Sequence, residues 1–245
     1  DFPERVRRVA TAADALFEWT DALKFVPRLT ASNPPSRTGA VGEVRRGEII
    51  TAQLRDPLTL DGLAELCEPL LAEVEPRVFG SYALVDKVYV YRSLVSHQRP
   101  GASWLWHYDN HPREMVKVMV YLTDVTETSA PFEYLRASDG RVVRGAPLAP
   151  LFGHSRIEPG QYDAYVSSGC APVRVTGPRG TVLLFDDNIV HRATIAQSAP
   201  RDVIVFQLRP SAVKVEPRID RRWTGSFLHH DIARDPDQLE PVLKA

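Results

Sequence analysis

The chain has 245 residues, 44% of them apolar and 25% charged, enough to bury a sizeable core and too apolar for global disorder. Thirty basic residues against 31 acidic ones leave a formal charge of −1, which excludes the electrostatic footprint of a protein that binds nucleic acid or an acidic membrane. No apolar run approaches the roughly 18 to 20 residues of a membrane span, and Cys67 and Cys170 form neither a metal-type spacing nor a disulfide framework, so a reducing cytoplasm is the expected location.

The N-terminal stretch DFPERVRRVATAADALF is interrupted by charges and does not read as a signal peptide. Because residue 1 is Asp rather than Met, the numbering is expected to start inside the native chain, which leaves open whether a short leader has been lost. Val6, Val9, Ala10, Ala13, Leu16 and Phe17 recur near a 3.6-residue period, which predicts an amphipathic helix within 4–26. ASNPPSRTG (31–39) reads as a turn-rich loop, and LDGLAELCEPLLAEVE (60–75) as a second helix whose leucine stripe packs a core.

After residue 85 the texture changes. The runs at 87–95, 116–122, 132–136, 181–187 and 202–210 are short and rich in β-branched and aromatic residues, with Gly, Pro, Asn and Asp between them. They predict a β-sandwich or barrel over about 86–210, with helices packed outside. Segment 137–172 is Gly/Pro-rich and aperiodic; such a length of loop suits a lid or substrate-binding insert. Beyond 213 the basic run RIDRR reads as solvated surface, followed by a short helix. No repeat or linker divides the chain, so one domain over 1–245 is expected: helical support (1–85), a β core (86–212) and a tail (213–245).

The polar chemistry concentrates in WLWHYDNHP (104–112). On an extended chain His107 and Asp109 share a face, and His111 continues the same parity, so spacing alone leaves open which groups cooperate. Two His and one carboxylate on one face of a metal suit non-haem Fe(II), because the opposite positions stay free for a cosubstrate and O2. The third ligand must come from elsewhere. His191, after the strand-like TVLLFDD and before another strand, has the best context. His111 would crowd ligands from one short segment, His154 lies in the irregular loop, and His97, His229 and His230 have no supporting context. Arg201, opening the last strand, suits a bidentate pair with a carboxylate inside the barrel; as an edge charge it would instead guard against aggregation. Trp104 and Trp106 read as barrel wall, and Lys117, set between apolar neighbours, as an outward-facing side chain.

The runs WHYDNHPREMVKVMVYLTDVTETSAPFEYL and GTVLLFDDNIVHRATIAQSAPRDVIVFQLRP resemble Fe(II)/2-oxoglutarate-dependent oxygenases of the phytanoyl-CoA dioxygenase-like group. The likeness lies in H-x-D, the following strand with its YL-D and small-Pro-Phe segment, then G-T-hydrophobic-F-D, a distal His and a downstream Arg, over roughly 87–210. It implies a mainly β protein with flanking helices, built on a double-stranded β-helix (jelly-roll, cupin-like) barrel. It also implies Fe(II) held by His107, Asp109 and His191, 2-oxoglutarate paired to Arg201, and O2 as oxidant; Tyr89 and Tyr91 are expected beside the cosubstrate. The chain departs from the group where ASDGRVV replaces a common Gly-Ser-His element, a GHS appearing only at 153–155. Related halogenases carry a small residue in place of the carboxylate, so Asp109 points to hydroxylation or another oxidation rather than halogenation, with desaturation, cyclisation and epoxidation left open; a small-molecule substrate is expected. The competing readings are a cupin-like binding module without turnover and a mononuclear metal hydrolase or isomerase.

Overall fold

The computed structural model describes residues 1–19, 22–27, 49–97, 104–145 and 156–224. Two antiparallel sheets face each other. The larger runs in the order β1 (Leu23–Pro27), β2 (Ile49–Leu54), β3 (Tyr82–Ser93), β9 (Arg201–Ser211), β4 (Val116–Tyr121), β7 (Val182–Asp186). The smaller has β6 (Ala171–Val175), β5 (Phe132–Arg136) and β8 (His191–Ala193). His107 extends the smaller sheet through a bridge to His191, so the H-x-D segment is stitched to the strand carrying the distant His.

The central strands of the large sheet read as nearly continuous apolar runs because both their faces are covered. Val88 and Val90 of β3, Val116, Val118 and Val120 of β4, and Ile204, Phe206 and Leu208 of β9 lie in one core with two helices. These are α1 (Phe2–Phe17), which contributes Val6, Val9 and Ala13, and α2 (Leu63–Val74), which contributes Leu63, Leu66 and Leu70. The alternate residues Met119, Tyr121, Val203 and Val205 turn to the smaller sheet and form a second core with Phe132 and Ile189. The register along β3 and β9 is regular except at Asp86, where Val85 pairs with Leu208 and Lys87 with Gln207. That bulge inserts one residue into β3 alone.

Several elements differ from the expectations. The first helix stops at Phe17, and Leu23–Pro27 pairs with β2 as a strand, because tertiary pairing overrides weak helix propensity there. The first 85 residues are therefore not purely helical support: β1, β2 and the start of β3 widen the large sheet. The stretch expected as an irregular insert at 137–172 holds a third helix, α3 (Pro159–Ser167), and the start of β6. Arg218, expected on a solvated surface, is 3% exposed and bonds Glu75 and the Ala83 carbonyl. The predicted 31–39 loop, residues 146–155 and the tail helix lie outside the described residues. Among the described residues, no helix is long and apolar enough to cross a membrane.

Candidate metal centre

His107 and His191 are directly opposed in their bridge, each backbone N–H donating to the other's carbonyl at 2.9 and 2.8 Å. Opposed residues of an antiparallel pair project to the same side, so both imidazoles enter the space between the sheets, 4.4 Å apart by ring centroid. Each ring's Nδ1 lies 2.8 Å from a carbonyl two residues upstream, Leu105 for His107 and Ile189 for His191. A carbonyl only accepts, so Nδ1 is the donor and Nε2 keeps the lone pair. Those Nε2 atoms are 3.8 Å from Asp109 Oδ1 (His107) and from Asp109 Oδ2 (His191). One donor atom from each of the three residues lies within 4.8 Å of the others. Asp109 is anchored in turn by its N–H, which donates to the Asp187 carbonyl at 2.9 Å.

Burial, with His191 beside it, pushes the His107 imidazole down to about 4, and burial lowers His191 as well. Burial alone would raise Asp109, yet the Lys117 ammonium and the two imidazoles hold it well below the usual carboxylate range. The cluster thus presents two neutral nitrogens and one carboxylate, the protonation states a metal ion requires. This donor set, all on one side with the other side open to a cavity, fits an iron of the two-His, one-carboxylate type.

That cavity, of about 350 Å³, is lined by the three groups and by Thr51, Gln53, Tyr89, Tyr91, Ser93, Trp104, Lys117 and Arg201, among others. Tyr89 and Tyr91 both face inward, as their shared parity requires. Arg201 is 1% exposed and is no edge charge, since β9 is flanked by β3 and β4. Its guanidinium reaches Ser93 Oγ at 3.4 Å, while Nε and one terminal nitrogen find no acceptor among the described residues. Buried donors left open toward a cavity call for an anionic ligand. Phe132 and Phe185, 4.7 Å apart, stand against the His191 ring and screen it from water.

The remaining candidates separate cleanly. His111 bonds through Nδ1 to Asp187, and the Asn188 side chain clamps its backbone, accepting at 3.1 Å and donating at 2.8 Å. Asp109, His111 and Asp187 form a second convergent group, but neither His111 nor Asp187 lines the cavity. His97 is exposed, whereas His154, His229 and His230 lie outside the described residues. Trp104 and Trp106 are wall, 3% and 6% exposed; Trp106 stacks on Tyr162 of α3 at 5.6 Å. Lys117 reverses its expected direction: it points into the cavity and pairs with Asp109. The helices cover the outer face of β4, so its valines face outward and its polar residue inward. Phe132 sat in the small-Pro-Phe segment, but the contacts that make it and Phe185 a screen carried no sequence signal.

A jelly roll with this cluster between its sheets defines a class, the Fe(II)/2-oxoglutarate-dependent oxygenases. Within that class the chain belongs to the phytanoyl-CoA dioxygenase family, whose model matches residues 3–201. L-proline trans-4-hydroxylase of Streptomyces griseoviridis is 26% identical over 142 residues, covering 49% of this chain and 53% of the relative. The chain thus spans about half the length of that curated relative. Among solved structures, the epimerase SnoN in complex with Fe3+, alpha ketoglutarate and nogalamycin RO superposes with a TM-score of 0.57 at 16% identity, over 88% of this chain and 78% of that one. EctD from S. alaskensis with 2-oxoglutarate and 5-hydroxyectoine gives 0.53 at 18% identity, over 87% and 70%. These two likenesses establish the jelly-roll fold.

Proposed function

We propose that this protein is an Fe(II)/2-oxoglutarate-dependent hydroxylase of a small molecule, with His107, Asp109 and His191 as the iron ligands. The observation that carries this reading is the convergence of two histidines and a carboxylate on a cavity whose far wall holds a buried arginine with donors unpaired among the described residues. Bound there with 2-oxoglutarate and O2, iron supplies the oxidising power to hydroxylate an unactivated C–H bond, with succinate and CO2 as coproducts. The chain's part is positional. The Leu105 and Ile189 carbonyls fix both imidazoles in the ligating tautomer. Arg201 takes the distal carboxylate of 2-oxoglutarate and orients its 2-oxo acid end toward the metal. Tyr89 and Tyr91 flank the molecule between those two points, and Phe132 and Phe185 keep bulk water from the reacting groups.

The cavity is at the small end of ligand sites, and the relative named for L-proline acts on a small amino acid; both support a small substrate. Both cysteines are free, which supports placement in the reducing cytoplasm. Succinate formation from 2-oxoglutarate tests the activity. We expect it to require Fe(II) and O2 and to fall to background in His107→Ala and His191→Ala. Arg201→Leu should raise the half-saturating 2-oxoglutarate concentration on the order of 100-fold, the cost of losing a buried charged pair. Succinate release that survives in both histidine variants refutes the ligand assignment.

A further inference from the structure

Lys117 is the feature that the proposed function does not use. It sits on β4 opposite Gln207 of β9 and Phe185 of β7, with its side chain 15% exposed and its ammonium on Asp109 Oδ2. A site of two neutral histidines and one carboxylate ordinarily offers a divalent metal one full negative charge. Here that charge already has a counter-ion fixed in the protein. Asp187, whose carboxylate comes within 4.8 Å of that of Asp109, is buried, bonds His111 and does not line the cavity, so its charge lies behind the wall. Across the cavity Arg201 adds a second positive charge.

Before metal arrives, the cavity wall carries Asp109 against Lys117 and Arg201, a balance of about one positive charge. A divalent ion raises this to about three in a poorly hydrated space, where like charges repel strongly. A dianionic 2-oxo acid returns it to about one. We propose that Lys117 is a positioning residue that weakens metal binding in the absence of cosubstrate and so couples metal and 2-oxoglutarate. The ammonium also occupies Oδ2 and leaves Oδ1, on the His107 side, as the free oxygen for a metal. Because coupling is reciprocal, each ligand tightens the other by the same factor. The inference rests on the ligand assignment made above.

Direct titration with Mn(II), with and without 2-oxoglutarate and without turnover, tests it in wild type, Lys117→Met, Lys117→Arg and His191→Ala. Met keeps the length of the side chain and removes its charge; Arg keeps the charge. We expect Lys117→Met to bind Mn(II) alone at least about 10-fold more tightly than wild type. We also expect the tightening by 2-oxoglutarate, about 5- to 150-fold in wild type for ordinary coupling energies, to shrink several-fold in Lys117→Met and to persist in Lys117→Arg. If Mn(II) binding depends on His191 but Lys117→Met binds no tighter, or keeps the full coupling, the role of Lys117 is refuted and the ligand assignment stands. If wild type and His191→Ala bind Mn(II) alike, the ligand assignment fails and this inference with it. Thermal unfolding of each variant without Mn(II) separates a folding defect from a change in affinity, because a folded variant still melts in one cooperative transition; Lys117→Met and Lys117→Arg should in addition show a Mn(II)-dependent shift.

Discussion

A histidine ligand has to be neutral and has to point the right nitrogen at the metal, and His107 meets both demands before any ion arrives. Its Nδ1–H donates to the Leu105 carbonyl, and burial pushes its pKa down to about 4. In the unfolded chain the same group titrates near 6.5. Between those values the unfolded state binds more protons than the native one, so stability falls as pH drops from about 6.5 toward 4. Thermal melts of the metal-free protein should therefore show Tm falling through that window, with a shallower slope in His107→Phe. An identical slope in the variant places the acid sensitivity elsewhere, with His191 first in line because burial lowers it too. At this scale the sequence was most informative about identity and least about direction. His107, Asp109 and His191 stood out by type and context, whereas Lys117 was assigned the wrong face.

The strands that carry the site are locked by charge on their outer side. Arg92 of β3 donates to both Asp202 oxygens of β9 at 2.8 Å and to Asp14 of α1 at 2.7 Å. Asp202 is 4% exposed and adjoins Arg201 in the chain. Arg92→Ala leaves that carboxylate buried without its charge partner and should cost about 3–5 kcal/mol, read from urea unfolding. The double variant with Asp202→Asn should recover part of the loss; an additive loss would show that the pair is not coupled. The strands legible in sequence were those with both faces apolar. Others were hidden for physical reasons. β6 holds only exposed and half-buried residues at an edge, and β8 has only three residues. α3 buries no residue deeply enough to leave an apolar stripe.

Across the whole molecule, one sheet does two jobs on its two faces. The outer face binds helices α1 and α2 through valine, leucine and isoleucine, and the inner face carries tyrosines, Lys117, Gln207 and Arg201. The barrel and its flanking helices were legible because their runs are long and apolar. Which residues of a run turn inward was not, because alternation cannot tell inside from outside when both sides are dry. The bulge at Asp86 sharpens this point. In β3, Ala83 and Val85 share the helix-facing core with Val88 and Val90, so odd numbers face outward before the bulge and even numbers after it. The strand is two half-strands in antiphase, joined by one surplus residue, Asp86, whose buried carboxylate stands 3.8 Å from the Arg209 guanidinium. Deleting Asp86 would leave Val85 and Lys87 adjacent and still opposite Leu208 and Gln207, a regular ladder with both faces intact. Deleting Val90 would rotate either Tyr89 or Tyr91 out of the cavity. We expect the first deletion to give a folded protein that still binds 2-oxoglutarate in the presence of Mn(II), and the second to give one that binds it markedly more weakly; equal outcomes would mean that the ladder does not set the phase. Length in this strand is negotiable at one position, and there the reading frame of the barrel resets.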